Sequence, residues 1–224
     1  MSIYILQLIF LTMNTKSKQN TLSTIKDGRH LRSVKTQESI VNSTIALLME
    51  SPSVQWPTAE QVAKHSNIGL RTVFRQFDDM DGLIRSCHKK IMFEFEKLLS
   101  SKSTKDDALK NRITFLIDER IDIYSKYKNV FASSIMNIQK FQSIREGFIE
   151  GNLRLKKRFE NIIPEVLKLS SLDQAYLDTS ISFACWYRLS IFYKFSDKMI
   201  IDKFSSETNK LLTQERKIDI CINH

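Results

Sequence analysis

The sequence contains few of the residues that interrupt helices. Its 224 residues include only five glycines and three prolines. Apolar residues instead recur at intervals of three and four along most of the chain, which is the spacing of one helix face. These two features predict an all-α protein. The length allows one large or two small domains with a buried core of their own.

Cysteines are also few. Cys87, Cys185 and Cys221 are far apart, odd in number and without the spacing of a metal site. This usage is typical of a reduced chain, so a cytoplasmic location is expected. Cys87 and Cys185 lie in apolar helical runs and are predicted to be small core residues.

Motifs that carry catalytic chemistry are missing. The four histidines form no H-E-x-x-H or Cys-His pattern, and the sequence has neither a G-x-S-x-G motif nor a glycine-rich phosphate loop. Nothing therefore supports an enzyme, and the sequence predicts no catalytic residues, no metal site and no cofactor.

Long hydrophobic runs are absent as well. The first thirteen residues are apolar but too short to span a bilayer, and they lack the basic flank and cleavage site of a signal peptide. They are expected to be a disordered tail or to precede the native start, since a second methionine stands at position 13. They should be dispensable for folding, and no membrane partner is expected.

Basic residues are in excess. The formal net charge of +9 and the isoelectric point of about 9.4 favour an anionic partner such as nucleic acid. Lysines and arginines dominate up to position 35, so residues 1–35 are predicted to be a flexible basic arm.

A group of short helices follows the arm. The first is expected to run from Thr36 to about Ser51. Thr58 and Gln61 form a capping box that opens a second helix, which ends near His65. After a break at residues 66–69, a third helix covers about residues 70–76 and a fourth begins at Asp78 or Asp79. Apolar positions on the second and third helices are predicted to face inward: Val62, Ala63, Val73 and Phe77. The fourth helix carries a stripe of Leu83, Cys87, Ile91, Phe95 and Leu98, which runs past position 95 and should join this small N-terminal unit to the remainder.

Longer helices are predicted for the remainder. One opens at Thr104–Asp107, and others cover about residues 130–141, 144–163, 173–195 and 197–214. The helix over 173–195 is apolar nearly all round. One side can pack against its own domain, and the other is expected to pack against a partner chain. The last helix offers a matching stripe of Ile200, Ile201, Phe204, Leu211 and Leu212, which predicts a homodimer through the last two long helices.

Two short helices joined by a tight turn constitute a helix-turn-helix motif. The stretch T-A-E-Q-V-A-K-H-S-N-I-G-L-R-T-V-F-R-Q-F, residues 58–77, resembles the DNA-binding segment of the tetracycline-repressor (TetR) family of transcriptional regulators. The matching positions are Val62-Ala63, Asn67-Ile68-Gly69, Thr72-Val73-Phe74, Phe77 and Leu83. The sequence likeness covers residues 36–95. Beyond residue 100 only the succession of about five helices is similar.

The resemblance implies a ligand-responsive regulator, most often a repressor, that binds a palindromic operator in double-stranded DNA as a homodimer. Residues 36–95 would be the DNA-binding domain, and residues 96–224 would bind the effector and dimerise. A small effector is implied in the part after residue 100, where some of the many aromatic side chains would line its pocket. The high aromatic content there favours an apolar molecule, although Asp118 or Glu119 could serve a cationic one. The candidate DNA-binding residues are Thr58, Lys64, Gly69, Leu70, Arg71, Thr72, Phe74, Arg75 and Gln76.

Arg71 and Arg75 stand one turn apart on the predicted reading helix. Arg71 lies near the helix start, where side chains reach base edges, and Arg75 is better placed for phosphate. The alternative for Arg75 is a surface pair with Asp78 or Asp79.

The sequence departs from the family at two positions. Phe74 stands where the family usually has a tyrosine that bonds phosphate, and Met80, among three aspartates, stands where it usually has lysine. Two other functions stay open, and the departures bear on the second. One is a helix-turn-helix protein without an effector, and the other is a helical small-molecule-binding protein whose DNA binding has decayed.

Overall fold

The structure is a computed structural model that describes residues 28–50, 55–99 and 107–213. Every regular element in these ranges is helical, which confirms the predicted all-α class. The α-helices are α1 (Gly28–Glu50), α2 (Ala59–Ser66), α3 (Leu70–Phe77), α4 (Met80–Leu98), α5 (Leu109–Lys126), α6 (Lys128–Asn137), α7 (Gln142–Ile162), α8 (Ser171–Ser180), α9 (Phe183–Tyr187) and α10 (Asp197–Thr213). A 3₁₀ segment, Pro164–Lys168, follows α7, and a π-helical turn, Arg188–Phe192, follows α9.

Helix α1 begins earlier than the sequence indicated. It starts at Gly28 rather than Thr36, so residues 28–35 are helical and not part of a flexible arm. Arginine and lysine are good helix formers, and adding turns to an existing helix costs little. The predicted tail at residues 1–13 lies outside the described residues. Among the described residues, those up to position 38 belong to one unit and those from position 39 to another, and the contacts discussed below belong to the second.

Helices α1 to α4 share one small core, which contains the inward positions predicted on α2 and α3. Val62, Val73 and Leu83 are almost completely buried, and the cluster also contains Ile40, Val41, Ala63, Phe77 and Cys87. Burial raises the pKa of the Cys87 thiol to about 12. Cys185 is only half-buried at the edge of another cluster, so its predicted core position is only partly right.

Helix α5 is the centre of the larger core. Its apolar stripe of Ile113, Leu116, Ile117, Ile121 and Tyr124 is buried. The Tyr124 ring contacts Phe131, Phe183 and Trp186 at centroid distances of 5.4, 5.6 and 5.9 Å. These aromatic contacts join α5 to α6 and α9.

The predicted helix over residues 173–195 is wrong as a single element. Helix α8 ends at Ser180, and Ser182 starts α9 by accepting a hydrogen bond from Cys185 N. Thr179 and Ser180 donate their hydroxyl groups to backbone carbonyls of α8. Such local side-chain bonds compete with the backbone ladder, so three hydroxyl residues in the run 179–182 account for the break.

The predicted dimer stripe on α10 is also wrong in part. Ile200 and Phe204 are buried in the core of their own chain, against α5. Ile201, Leu211 and Leu212 pack partly against the same cluster. An apolar helix face packs against another apolar face, and for α10 this is the apolar stripe on α5 of the same chain.

Other predicted boundaries shift by a few residues. Helix α6 ends at Asn137 instead of Phe141, and α5 begins at Leu109 with no side-chain cap, whereas Thr104 lies outside the described residues. Leu98 is exposed, although the apolar stripe placed it in the core.

The described ranges contain neither a candidate membrane span nor a candidate metal centre. No helix there is long and apolar enough to cross a membrane. Among the same residues, no three or more His, Cys, Asp and Glu side chains are grouped to hold a metal ion.

Candidate nucleic-acid interface

Helix α2 begins with the capping box that the sequence predicted. Thr58 Oγ1 accepts from Gln61 N at 3.3 Å, and Gln61 Oε1 accepts from Thr58 N at 2.8 Å. The two bonds satisfy backbone donors that a helix start leaves open. They fix the direction in which α2 leaves the preceding loop.

The turn between α2 and α3 depends on Asn67. This residue has φ 54° and ψ 38°, the left-handed conformation expected for asparagine at a helix end. Ile68 N then donates to Ala63 O at 3.0 Å, and the Ile68 side chain packs on the small core. The turn therefore sets α3 against α2 with little freedom.

One side of α3 is buried and the other is exposed. Val73 and Phe77 face the core with 1% and 9% of their surface exposed. Arg71, Phe74 and Arg75 lie on the exposed side, and Phe74 is 41% exposed. The remaining candidate residues are exposed or half-buried: Thr58, Lys64, Gly69, Leu70, Thr72 and Gln76.

No ion pair joins Arg71 or Arg75 to another residue of the described ranges. Asp78, the proposed alternative partner of Arg75, ends α3 with φ 60°, and its N–H donates to Phe74 O. Asp79 Oδ1 instead accepts from Gly82 N at 2.8 Å and caps α4. The surface-pair alternative for Arg75 therefore has no support in the contacts.

Gly82 allows α4 to pass close to the end of α3. A Cβ atom at this position would overlap the carbonyl oxygen of Phe77. Any larger residue would push the two helices apart, so the glycine fixes the angle of the exposed α3 face relative to α4.

The third aspartate links α4 to α7. Asp81 Oδ1 accepts from Ser143 Oγ at 2.9 Å and from Ser143 N at 3.2 Å, and Asp81 Oδ2 accepts from Arg85. The sequence indicated only that three aspartates surround Met80. Asp81 has this further use because α7 brings Ser143 to it.

Helices α4 and α7 approach closely at His88. The ring packs on Gly147, where an added Cβ would come within 2.5 Å of it, and Nε2 donates to Gly147 O at 3.1 Å. Farther along, Gly151 lies near Met92, and Arg154 bonds both Glu150 and Glu96. Two glycines spaced at i and i+4 are the sequence signal that could have predicted this contact.

The buried His88 predicts a pH effect on stability. Burial lowers its pKa below 6.5, although the nearby Glu150 opposes the shift. On acidification the unfolded chain takes up the proton first, so the free energy of unfolding should fall as the pH drops from about 7 towards the folded-state pKa. His88→Gln should remove this part of the decline in urea unfolding between pH 5 and 7.5.

His65→Gln, at an exposed position on α2, is the control for the loss of an imidazole. Parallel stability profiles for the wild type and His88→Gln would contradict the assignment to His88. Arg154 and Glu150 are the charges that act on this ring, and both stay in place in the variant.

A cavity lies beside this helix contact. It has a volume of about 60 Å³ and is lined by residues of α4, α6 and α7 and by Trp56, which precedes α2. Of the aromatic residues after position 100, Phe131 and Phe148 line it, whereas Phe159 and Phe183 are core residues. The sequence indicated a pocket after residue 100, but this cavity draws its walls from both sides of that position.

Several solved structures have a similar arrangement of helices, and TetR-family transcriptional regulators are among them. A transcriptional regulator from Rhodococcus sp. Rha1 has a TM-score of 0.63 and 10% identity, over 79% of this chain and 95% of that one. A protein from Rhodococcus sp. described as a TetR-family transcriptional regulator has a TM-score of 0.62 and 10% identity, over 80% and 100% of the two chains. The multidrug binding protein EbrR, in complex with imidazole, has a TM-score of 0.56 and 9% identity, over 77% and 89%.

No protein-family model and no curated protein sequence matches this chain. The structural matches at this low identity show a shared fold. The protein therefore has the fold of TetR-family transcriptional regulators, with an N-terminal helix-turn-helix and a larger helical part behind it, as the resemblance implied.

Proposed function

We propose that the protein is a sequence-specific DNA-binding transcriptional regulator, a homodimeric repressor that acts on a palindromic operator and releases it when a small molecule binds. The observation that carries the proposal is the exposed face of α3 with its two arginines. A helix of this size fits the major groove, which is about 12 Å wide. The fold agrees, because its solved examples include proteins named as transcriptional regulators.

Each arginine has a separate role. Arg71 lies in the first turn of α3 and reads a guanine, the commonest base contact of arginine. Arg75, one turn later, binds a phosphate, and Thr72 and Lys64 add weaker backbone contacts. The amides beside Thr58 at the start of α2 suit a further phosphate.

The dimer contact uses apolar side chains near the end of the chain that their own protomer leaves uncovered. Leu172 and Tyr176 are one turn apart on α8 and are 79% and 69% exposed, and Phe192 is 71% exposed. Exposed apolar side chains that lie side by side, as Leu172 and Tyr176 do, are typical of interaction surfaces. A twofold pairing through this region would hold two α3 helices for two half-sites.

The effector occupies the cavity beside Trp56. Its walls are mainly apolar, and a cavity of this kind is the usual place for a small ligand. The similar fold of EbrR, a multidrug binding protein, agrees with this use of the larger helical part.

The substitution Phe74→Tyr tests the way in which α3 meets DNA. It restores the hydroxyl group that the resembled family uses for phosphate, on a side chain that is already exposed. We expect binding to tighten by roughly 0.5–1.5 kcal/mol per half-site on operator and scrambled DNA alike. Fluorescence anisotropy measures both.

Phe93→Tyr, an exposed position on α4, is the matched control and should leave both affinities unchanged. If Phe74→Tyr also changed neither affinity, the Phe74 ring would not face a phosphate.

A gel-shift titration with DNA from upstream of the protein's own gene tests the proposed function as a whole. Repressors commonly bind there, so we expect a shifted band that specific competitor removes and scrambled competitor does not. A band that both competitors remove equally would leave only the charge-driven binding of a basic protein.

A further inference from the structure

We propose that the cavity beside Trp56 binds a small, neutral, mainly apolar molecule with one hydrogen-bond acceptor, and that the indole N–H of Trp56 bonds this acceptor. The proposal deepens the proposed function, on which its regulatory part rests. The binding part stands on the cavity alone.

The chemistry of the cavity wall defines the ligand class. No aspartate, glutamate, lysine or arginine of the described ranges lines the cavity, and burial lowers the pKa of His88, which keeps its ring neutral at pH 7. A charged ligand would lose its hydration here without gaining a partner. A neutral apolar body is therefore favoured.

Most polar side chains of the wall already have partners. The bonds are His88 to Gly147 O, Ser134 to Val130 O, Ser143 to Asp81 and Asn152 to Phe148 O. Trp56 Nε1 differs, because it is buried and has no hydrogen-bond partner in the described part of the chain. A buried donor left unpaired costs about 1–3 kcal/mol, so an acceptor brought by a ligand has a specific place to bind.

The small volume of the cavity indicates that part of its wall must move when a ligand binds. A volume of about 60 Å³ holds only a few waters, since roughly 10–15 Å³ is needed for each. A ring-sized ligand must therefore displace part of the wall. Trp56 lies between α1 and α2, whereas the other wall residues belong to the helices α4, α6 and α7, so the indole is the part that can turn.

Trp56 also connects the cavity to the DNA-reading helices. Its ring packs on the small core of α1–α4 and on the adjoining cluster that contains Leu48, Phe95 and Val130. It stands two residues before Thr58, the cap of α2. A turn of the indole towards a ligand would shift the start of α2 and lower DNA affinity, because the ligand then binds the two states unequally.

The test compares two small ligands that have the same shape but differ in whether they carry a hydrogen-bond acceptor. Acetophenone carries a carbonyl group, and α-methylstyrene replaces its oxygen with a CH₂ group. In the protein labelled with ¹⁵N at tryptophan, Trp56 and Trp186 give two indole N–H signals, which Trp56→Phe assigns. We expect acetophenone to move the Trp56 proton downfield and α-methylstyrene to leave it in place.

Trp56→Phe keeps an aromatic ring without the donor. It should bind acetophenone about 3- to 10-fold more weakly and α-methylstyrene as the wild type does. If the variant does not fold, Trp186→Phe assigns the two signals instead, and the two probes on the wild-type protein decide. An unmoved Trp56 signal at saturating acetophenone, or equal shifts with both probes, overturns the proposal.

Operator binding measured on the same samples keeps the two ideas apart. A Trp56 shift in a protein that binds no operator supports the ligand site and refutes the proposed function. Operator binding without any Trp56 shift supports the function and refutes this site.

Discussion

Replacing Arg71 by alanine should weaken binding to the operator by roughly 1–3 kcal/mol per half-site and relax the preference at one base position. The guanidinium group is exposed at the start of α3 and has no ion pair within the described residues, so its loss removes a contact with DNA and none with the protein. Anisotropy titrations on operator and on scrambled DNA at several salt concentrations measure the effect.

Arg75→Ala should give a different pattern. If Arg75 binds a phosphate, its removal weakens all sequences alike and lowers the salt slope by about one unit for each phosphate that is no longer bound. Thr72→Ala should resemble a milder form of the same change. Arg145→Ala removes an equal charge from an exposed position on α7 and controls for net charge. If Arg71→Ala and Arg75→Ala both left operator binding intact, α3 would not be the reading helix.

Tyr176→Arg should convert the dimer into a monomer that folds normally. The side chain is 69% exposed on α8, so the change removes no core contact but places charge in the proposed interface. Operator affinity should then fall by about 10²- to 10⁴-fold, because the second half-site no longer benefits from a tethered partner. Light scattering and anisotropy on one sample give both quantities.

Leu153→Arg is the matched control, since Leu153 is similarly exposed but lies on α7, which is not part of the proposed interface. It should stay dimeric. A monomeric wild-type protein at micromolar concentration would refute the dimer itself, whereas a dimeric Tyr176→Arg would refute only its location.

The helix-turn-helix could be predicted because its signals are local. The capping box of Thr58 and Gln61, the left-handed Asn67 and the inward Val73 and Phe77 each depend on residues within a few positions. Local rules fix such elements before any tertiary contact is known.

The contacts of the larger part could not be predicted in this way. The apolar stripe on α10 predicts that this face of the helix is buried. Whether it packs against α5 or against a partner chain depends on tertiary packing, which the stripe does not reveal. The helix break before Ser182 was missed because the run around it is mainly apolar. Serine and threonine side chains there bond to the backbone and end the helix. Asp81 and Ser143 meet across 62 positions of sequence, and no periodicity links them.

The DNA contacts of Arg71 and the other α3 residues stay predictions until DNA is bound. Selection of binding sites from random double-stranded DNA, with the wild type and Arg71→Ala in parallel, tests the central claim most directly. We predict that the wild type enriches a palindromic motif whose half-sites lie about one helical turn, 34–36 Å, or a multiple of it apart, and that the variant loses discrimination at one position of each half-site. No enrichment by the wild type, or an identical motif from both proteins, would contradict the assignment of α3 as the reading helix.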